Sequence, residues 1–161
     1  MVWAIIAFSF LFESIFSNFI PVYSLFTPLF LLTSIVVLYP YISKNKFNFI
    51  IICMILGVIY DISFTGSCFV NVISFTTVGY ILSVCYNYVK YNVYTVNIIN
   101  IIILITYRII SYIILLSVNY IPFNNRNFFS GIYNSILINI LYCIVIFYMA
   151  NLFYKIFNKK I

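Results

Sequence analysis

The sequence predicts an all-α, polytopic membrane protein, a single integral membrane domain over residues 1–161 built as a bundle of about six transmembrane helices. Hydrophobic residues make up 66% of the chain and charged residues 6%, with a mean hydropathy of +1.19, whereas soluble domains carry ~25% charged residues. Lipid permits only helical bundles or closed barrels. Unbroken apolar runs such as Ile98–Ile105 lack the alternation of barrel strands and favour helices.

The first two predicted spans are separated by prolines. Val2–Ile20 is apolar and ends at Pro21. It lacks the basic region of a signal peptide and carries Glu13 where a cleavage site would lie, so we expect it to remain as the first span. The second run, Pro28–Ile42, ends before a pair of lysines.

The third and fourth predicted spans are joined by a short polar turn. The third run, Phe47–Tyr60, is short for a span and is followed by Asp61. We expect its helix to end near Asp61 and the chain to turn at Gly66, where the missing side chain makes a bend cheap. The fourth run is Cys68–Val89, which ends at Lys90.

The last two predicted spans are longer. Val93–Val118 contains Arg108 and gives way to the polar stretch Asn119–Ser130, which we interpret as a connection. The sixth helix is predicted from about Gly131 to Tyr154, before a short basic tail.

The basic residues predict the orientation. With a cytoplasmic N-terminus, six lysines fall in inside segments and only Arg126 falls in an outside one. This asymmetry is the positive-inside pattern, and it predicts that both termini are cytoplasmic. The six lysines are Lys44, Lys46, Lys90, Lys155, Lys159 and Lys160. Because they occur in ones and twos between apolar runs and form no basic stripe, they argue against nucleic-acid binding despite the formal charge of +6.

The residues needed for cofactors or catalysis are missing from the sequence. The chain has no His, and its four cysteines are far apart with no CxxC pair, so no zinc, haem or redox motif is present and we expect no cofactor. Nucleophilic catalysis needs a base beside a Ser or Cys, and only Glu13 and Asp61 could serve. The sequence contains no GxGD motif of the kind that intramembrane aspartyl proteases use, so we expect no enzyme.

Three ionisable groups, Glu13, Asp61 and Arg108, lie within or at the ends of the spans. Burying such a charge in lipid costs ~2.5–3.5 kcal/mol on insertion scales, so it marks either function or a structural pair. Ion movement or a partner contact is possible, but we favour the structural reading. Matching depths predict an ion pair between Glu13 and Arg108, with Asp61 as the second choice or as a partner sharing the arginine. Gly57 and Asp61, one helical turn apart, should face protein rather than lipid.

Two segments resemble the MreD family of rod shape-determining proteins. The first is ILGVIYDISFTGSCFVNVISFTTVGYILS, in which a Gly and an Asp on one helix precede a turn with Thr and Gly. The second is FESIFSNFI in the first helix, which is similar to the ESIF-type segment of Gram-positive members. Many relatives have Leu-Gly after the turn, where this chain has Ser67 and Cys68. The matching positions of the first segment are Gly57, Asp61, Thr65 and Gly66.

The resemblance implies a non-enzymatic scaffold of cell-wall elongation in the bacterial cytoplasmic membrane. Its implied partners are MreC and, through it, MreB, RodA and a class B penicillin-binding protein. The alternative is a substrate-binding membrane subunit of an energy-coupling factor vitamin transporter, a six-helix protein of similar length and fold. Such a subunit needs a polar pocket and a long gating loop, whereas the first outer loop here, PVYSLFTP, is short and apolar.

Overall fold

The computed structural model describes residues 2–19, 28–42, 45–65, 69–119 and 125–158. These ranges are helical apart from short connections, which confirms the predicted all-α fold. The elements in chain order are α1 (Val2–Phe19), α2 (Phe30–Ile42), α3 (Lys46–Tyr60), a π-helix (Asp61–Thr65), α4 (Val70–Cys85), α5 (Val93–Ser117) and α6 (Asn125–Asn158).

The helices differ in length. Within the described ranges, three helical stretches are long and apolar enough to cross a membrane: Lys46–Phe64, Val93–Ser117 and Phe128–Ile156. The other helices, α1, α2 and α4, are apolar but shorter. With 13 residues, α2 rises only ~20 Å, against a hydrocarbon core of ~30 Å. The number of helices agrees with the prediction, whereas six complete spans and cytoplasmic termini stay predictions.

Two helical segments extend beyond their predicted ends. The third continues past Tyr60 as a π-helix as far as Thr65, although we expected it to end near Asp61. The last helix, α6, begins at Asn125, inside the stretch Asn119–Ser130 that we interpreted as a connection, and is 34 residues long. That interpretation was wrong because a polar segment can satisfy its backbone in a helix as well as in a loop, so polarity alone does not end a helix.

A capping box fixes the start of α5. The preceding helix ends at Cys85, short of the predicted end at Val89. Asn92 then accepts a hydrogen bond through Oδ1 from the Val93 N–H (2.6 Å), and Thr95 Oγ1 accepts one from the Asn92 N–H (3.0 Å). This reciprocal capping satisfies N–H groups that a helix start leaves without helical partners.

The short helix α2 lies at the centre of the bundle. Ten consecutive residues, Phe30–Tyr39, are buried, and all five other α-helices contact it. A helix that is apolar on every side suits this position. Pro40 has no N–H, so the Val36 carbonyl loses its helical partner. The Tyr86 hydroxyl replaces that partner by donating to the Val36 oxygen at 3.0 Å.

Two hydrogen bonds show that α2 and α6 run in the same direction. The Leu29 N–H donates to Asn139 Oδ1 (3.0 Å), and the Tyr41 hydroxyl donates to Asn151 Oδ1 (2.7 Å). The two contacts are separated by the same number of residues in both helices. Because this register is kept over three turns, the start of α2 lies level with the middle of α6.

Candidate functional site

The Asp61 carboxylate holds the start of α4. It is buried and accepts hydrogen bonds from the backbone N–H of Asn71 (3.1 Å to each oxygen) and of Val72 (3.1 Å). The Asn71 side-chain amide donates a further bond of 2.8 Å. Since Asp61 is the first residue of the π-helix that follows α3, this clamp ties the end of one helix to the start of the next.

Gly57 provides the space for this clamp. A Cβ built at Gly57 would lie 2.7 Å from the Asn71 carbonyl oxygen and 2.8 Å from Val72 Cα, both backbone atoms. The missing side chain therefore lets α4 approach α3 closely enough for Asp61 to reach its N–H groups. Both Gly57 and Asp61 are buried against α4, which agrees with the expectation that their shared face meets protein.

The Glu13 carboxylate holds the start of α2 in the same way. It is fully buried (0% exposed) and accepts hydrogen bonds from the Leu31 N–H at 2.8 Å and the Tyr60 hydroxyl at 2.5 Å. The Phe30 N–H contributes a weaker backbone hydrogen bond. Glu13 thus connects three helices, since it lies on α1 and binds the start of α2 and the end of α3.

The two carboxylates share one structural task. In both helices the residue at the N-cap position is hydrophobic: Leu29 for α2 and Phe69 for α4, the latter with a left-handed φ of 73° and no side-chain cap. Neither side chain can accept a hydrogen bond, so the orphan N–H groups of the first turn need an acceptor from elsewhere. Glu13 and Asp61, the only acidic residues of the chain, supply it, and their negative charge also suits the positive end of the helix dipole.

Aromatic residues connect the two capped helix starts. The Tyr107 hydroxyl of α5 donates to Asn71 Oδ1 at 2.6 Å. The Phe75 ring lies between Tyr60 and Tyr107, with ring-centroid distances of 5.4 and 5.9 Å. The buried polar core, which we define as Glu13, Tyr60, Asp61, Asn71 and Tyr107, therefore draws on α1, α3, the π-helix, α4 and α5.

Arg108 belongs to the surroundings of this core. It is half-buried and interacts electrostatically with Glu13, Tyr60 and Tyr107. The Glu13–Arg108 ion pair stays a prediction, and the start of α2 supplies an N–H donor that satisfies the Glu13 carboxylate directly.

The structure brings together four of the five residues that the sequence singled out: Glu13, Gly57, Asp61 and Arg108. The fifth, Gly66, lies outside the described residues. Sequence reasoning missed the neutral members of the core, because Tyr and Asn occur throughout the chain. Because the chain has 16 Tyr, residue type alone does not single out the two tyrosines of the core. Their positions in the sequence could have done so, since one directly precedes Asp61 and the other directly precedes Arg108. The missed residues are Tyr60, Asn71 and Tyr107.

Comparison with known proteins identifies a family. The family model described as "rod shape-determining protein MreD" matches residues 1–156. No curated protein and no solved structure gives a significant match to the chain.

Proposed function

The chain belongs to the MreD family of rod shape-determining proteins, since the family model covers residues 1–156, and from this premise we propose that it is a non-enzymatic scaffold of the cell-elongation machinery. In this proposal it is a multi-pass protein of the bacterial cytoplasmic membrane, with six spans and both termini in the cytoplasm. The short helices α2 and α4 fit this topology because protein surrounds much of their length, so less of their backbone has to be shielded from lipid.

The observation that carries the proposal is the use made of the two acidic residues. Glu13 and Asp61 are buried, and each carboxylate accepts hydrogen bonds from backbone N–H groups at the start of a helix. A carboxylate committed to such bonds stabilises one arrangement of helices, and hydrogen bonds to a charged group contribute ~1.5–3 kcal/mol each. The polar chemistry of the chain therefore supports a rigid bundle rather than a reaction. We also propose that Arg108 provides the positive charge shared by both carboxylates.

A scaffold of this kind acts through its outer helix faces. Large apolar side chains are exposed along one stripe of α6, which includes Phe129, Tyr133, Leu137, Leu141 and Val145. We propose that transmembrane segments of partners pack on such faces. The partner proposed for direct binding is MreC, and through it the chain would act with MreB, RodA and a class B penicillin-binding protein.

The alternative of a vitamin-binding transporter subunit lacks a supporting observation. The cleft between α1 and α3 is lined by apolar residues, whereas a vitamin site needs placed polar groups for orientation. Genes for MreB and MreC beside this one would favour the scaffold, and genes for an ATPase and a coupling subunit would favour transport.

The test removes the protein from its native bacterium and then supplies variants. Loss of the chain should abolish rod shape, and affinity-tagged wild-type protein should co-purify with MreC. We expect Asp61→Ala to reduce rod shape and MreC yield while the protein still inserts, because the start of α4 loses its clamp. Ser117→Ala, an exposed position that bonds only within α5, is the control. Normal rods without the chain would contradict the proposed function, and normal rods with Asp61→Ala would contradict the role assigned to Asp61.

A further inference from the structure

Asn134 is a polar residue within the apolar span Phe128–Ile156 of α6, and its side chain makes no hydrogen bond to the described residues. The other asparagines in the interiors of the described helices differ from it. Each of them takes part in at least one hydrogen bond, either within its own helix or to a neighbouring one. They are Asn97, Asn100, Asn139 and Asn151.

Contacts between α5 and α6 fix the depth of Asn134. The Asn100 side-chain amide donates to the Asn139 carbonyl oxygen (3.4 Å). About three turns farther along α5, the rings of Tyr112 and Phe128 lie 4.8 Å apart. The two helices are therefore antiparallel and keep one register, which places Asn134 level with the middle of the 25-residue α5, ~18 Å from either end. Because the hydrocarbon core is ~30 Å thick, Asn134 lies near its centre when α5 spans it.

Asn134 belongs to a seam on α6 whose residues follow the spacing of a helix–helix interface. They are separated alternately by three and four residues, the heptad spacing at which side chains face a partner helix. A Cβ built at Gly131 meets nothing within 4 Å, so the backbone is open to close approach there. Ile138 is half-buried, and Leu141 and Val145 are exposed. This Asn134 seam consists of Gly131, Asn134, Ile138, Leu141 and Val145.

The chemistry of the Asn134 seam selects a helix over lipid. Acyl chains carry no hydrogen-bonding groups and the bilayer core holds no water, so neither can satisfy the Asn134 amide. Helix association in membranes uses the two features found here, a small residue for close approach and a polar side chain that bonds across the interface. Leu141 and Val145 also belong to the exposed stripe of α6 on which partner segments are proposed to pack.

We propose that the Asn134 seam binds a transmembrane helix of the direct partner, an inference that rests on the proposed function. The amide of Asn134 offers both a donor and an acceptor, so the partner helix carries Ser, Thr, Asn or Gln opposite it. Where the partner crosses Gly131 it carries Gly, Ala or Ser. The alternating spacing predicts a left-handed crossing of ~20°.

The test measures the dissociation constant of full-length MreC for the purified chain in lipid nanodiscs by fluorescence energy transfer. Asn134→Leu should weaken binding about fivefold, the factor expected for one hydrogen bond between membrane helices. Gly131→Leu should weaken it at least as much, because the new side chain keeps the two backbones apart. Asn134→Gln retains the donor and the acceptor and should stay within about twofold of wild type.

Thr77→Leu is the matched control for removing a polar group. The Thr77 hydroxyl already donates to the Ile73 carbonyl oxygen of its own helix (2.9 Å), so this variant should bind MreC as wild type does. Both leucine variants of the seam should unfold at the wild-type SDS fraction, because Gly131 has open space beside it and Asn134 bonds to no described residue. A loss of stability in both would assign these residues to internal packing and overturn the proposal.

The remaining outcomes separate the seam from the proposed function. Unchanged binding in both leucine variants, or an equal loss in Thr77→Leu, would overturn the proposal. Wild-type protein that does not bind MreC would contradict the proposed function itself, and this inference with it. A photoreactive residue at Leu141 should crosslink to MreC, whereas one at Tyr80 of α4, with a similar exposure (62% against 59%), should not. Crosslinks from Leu141 only to a second copy of the chain would also overturn the proposal.

Discussion

Replacing Gly57 by alanine is the sharpest test of how the buried polar core is built. The new Cβ would meet the Asn71 carbonyl oxygen at 2.7 Å and Val72 Cα at 2.8 Å. Both are backbone atoms of the first turn of α4, so no side-chain rotation can make room. The helix start must move away from α3, and the Asp61 carboxylate then loses the geometry of its bonds to the same two residues.

The expected loss of stability follows from three contributions. Overpacking a tight contact costs ~1–3 kcal/mol, and the upper half applies here because backbone has to shift. Weakened bonds to the Asp61 carboxylate add ~1–2 kcal/mol, less than their full value because they lengthen rather than disappear. Alanine returns ~1 kcal/mol through its better helix propensity. We therefore expect Gly57→Ala to lower the free energy of unfolding by about 2–4 kcal/mol.

The assay is unfolding of the purified protein by SDS titration, followed through helical circular dichroism. Gly131→Ala is the matched control, since a Cβ at Gly131 on α6 meets nothing within 4 Å. This control should be neutral or stabilising by up to ~1 kcal/mol. If Gly57→Ala unfolds within ~0.5 kcal/mol of the control, close approach of α4 does not depend on Gly57 and our account of the clamp is refuted.

Two further predictions concern the network and the topology. A double-mutant cycle of Glu13→Gln and Tyr60→Phe, read by the same unfolding assay, should give a coupling of ~1.5–3 kcal/mol because it removes a hydrogen bond to a buried carboxylate. The cycle of Glu13→Gln and Arg108→Gln should give a smaller coupling, and equal couplings would contradict the geometry. Reporter fusions after the second helix and at the C-terminus should both report cytoplasm, and one at the start of α6 should report the outside, because of the distribution of basic residues. Opposite results for the fusion after the second helix and the fusion at the C-terminus would contradict six spans. The fusion sites are Asn45, Ile161 and Asn125, respectively.

Much of the fold could be predicted from the sequence because its signals are local. Apolar runs, prolines and lysines mark where a helix can lie in a membrane, and these features are contiguous in the chain. They located all six helices, including α5, whose start at Val93 was predicted correctly. The predictions failed at helix ends such as Asn125, where the chain leaves the apolar run and its composition no longer dictates whether the backbone stays helical.

The sequence by itself also determined which charged residues matter, since a carboxylate in an apolar run is costly wherever it lies. It could not determine their partners. Opposite charge suggested Arg108 for Glu13, and the tertiary structure adds the Leu31 N–H of α2 and the hydroxyl of Tyr60 as donors to Glu13. The physical reason is that the unpaired N–H groups of a helix start belong to the backbone, which is nearly the same for every residue type. The sequence therefore does not show where these donors lie. Only the packing of α1 on α2, and of α3 on α4, brings those donors to the carboxylates.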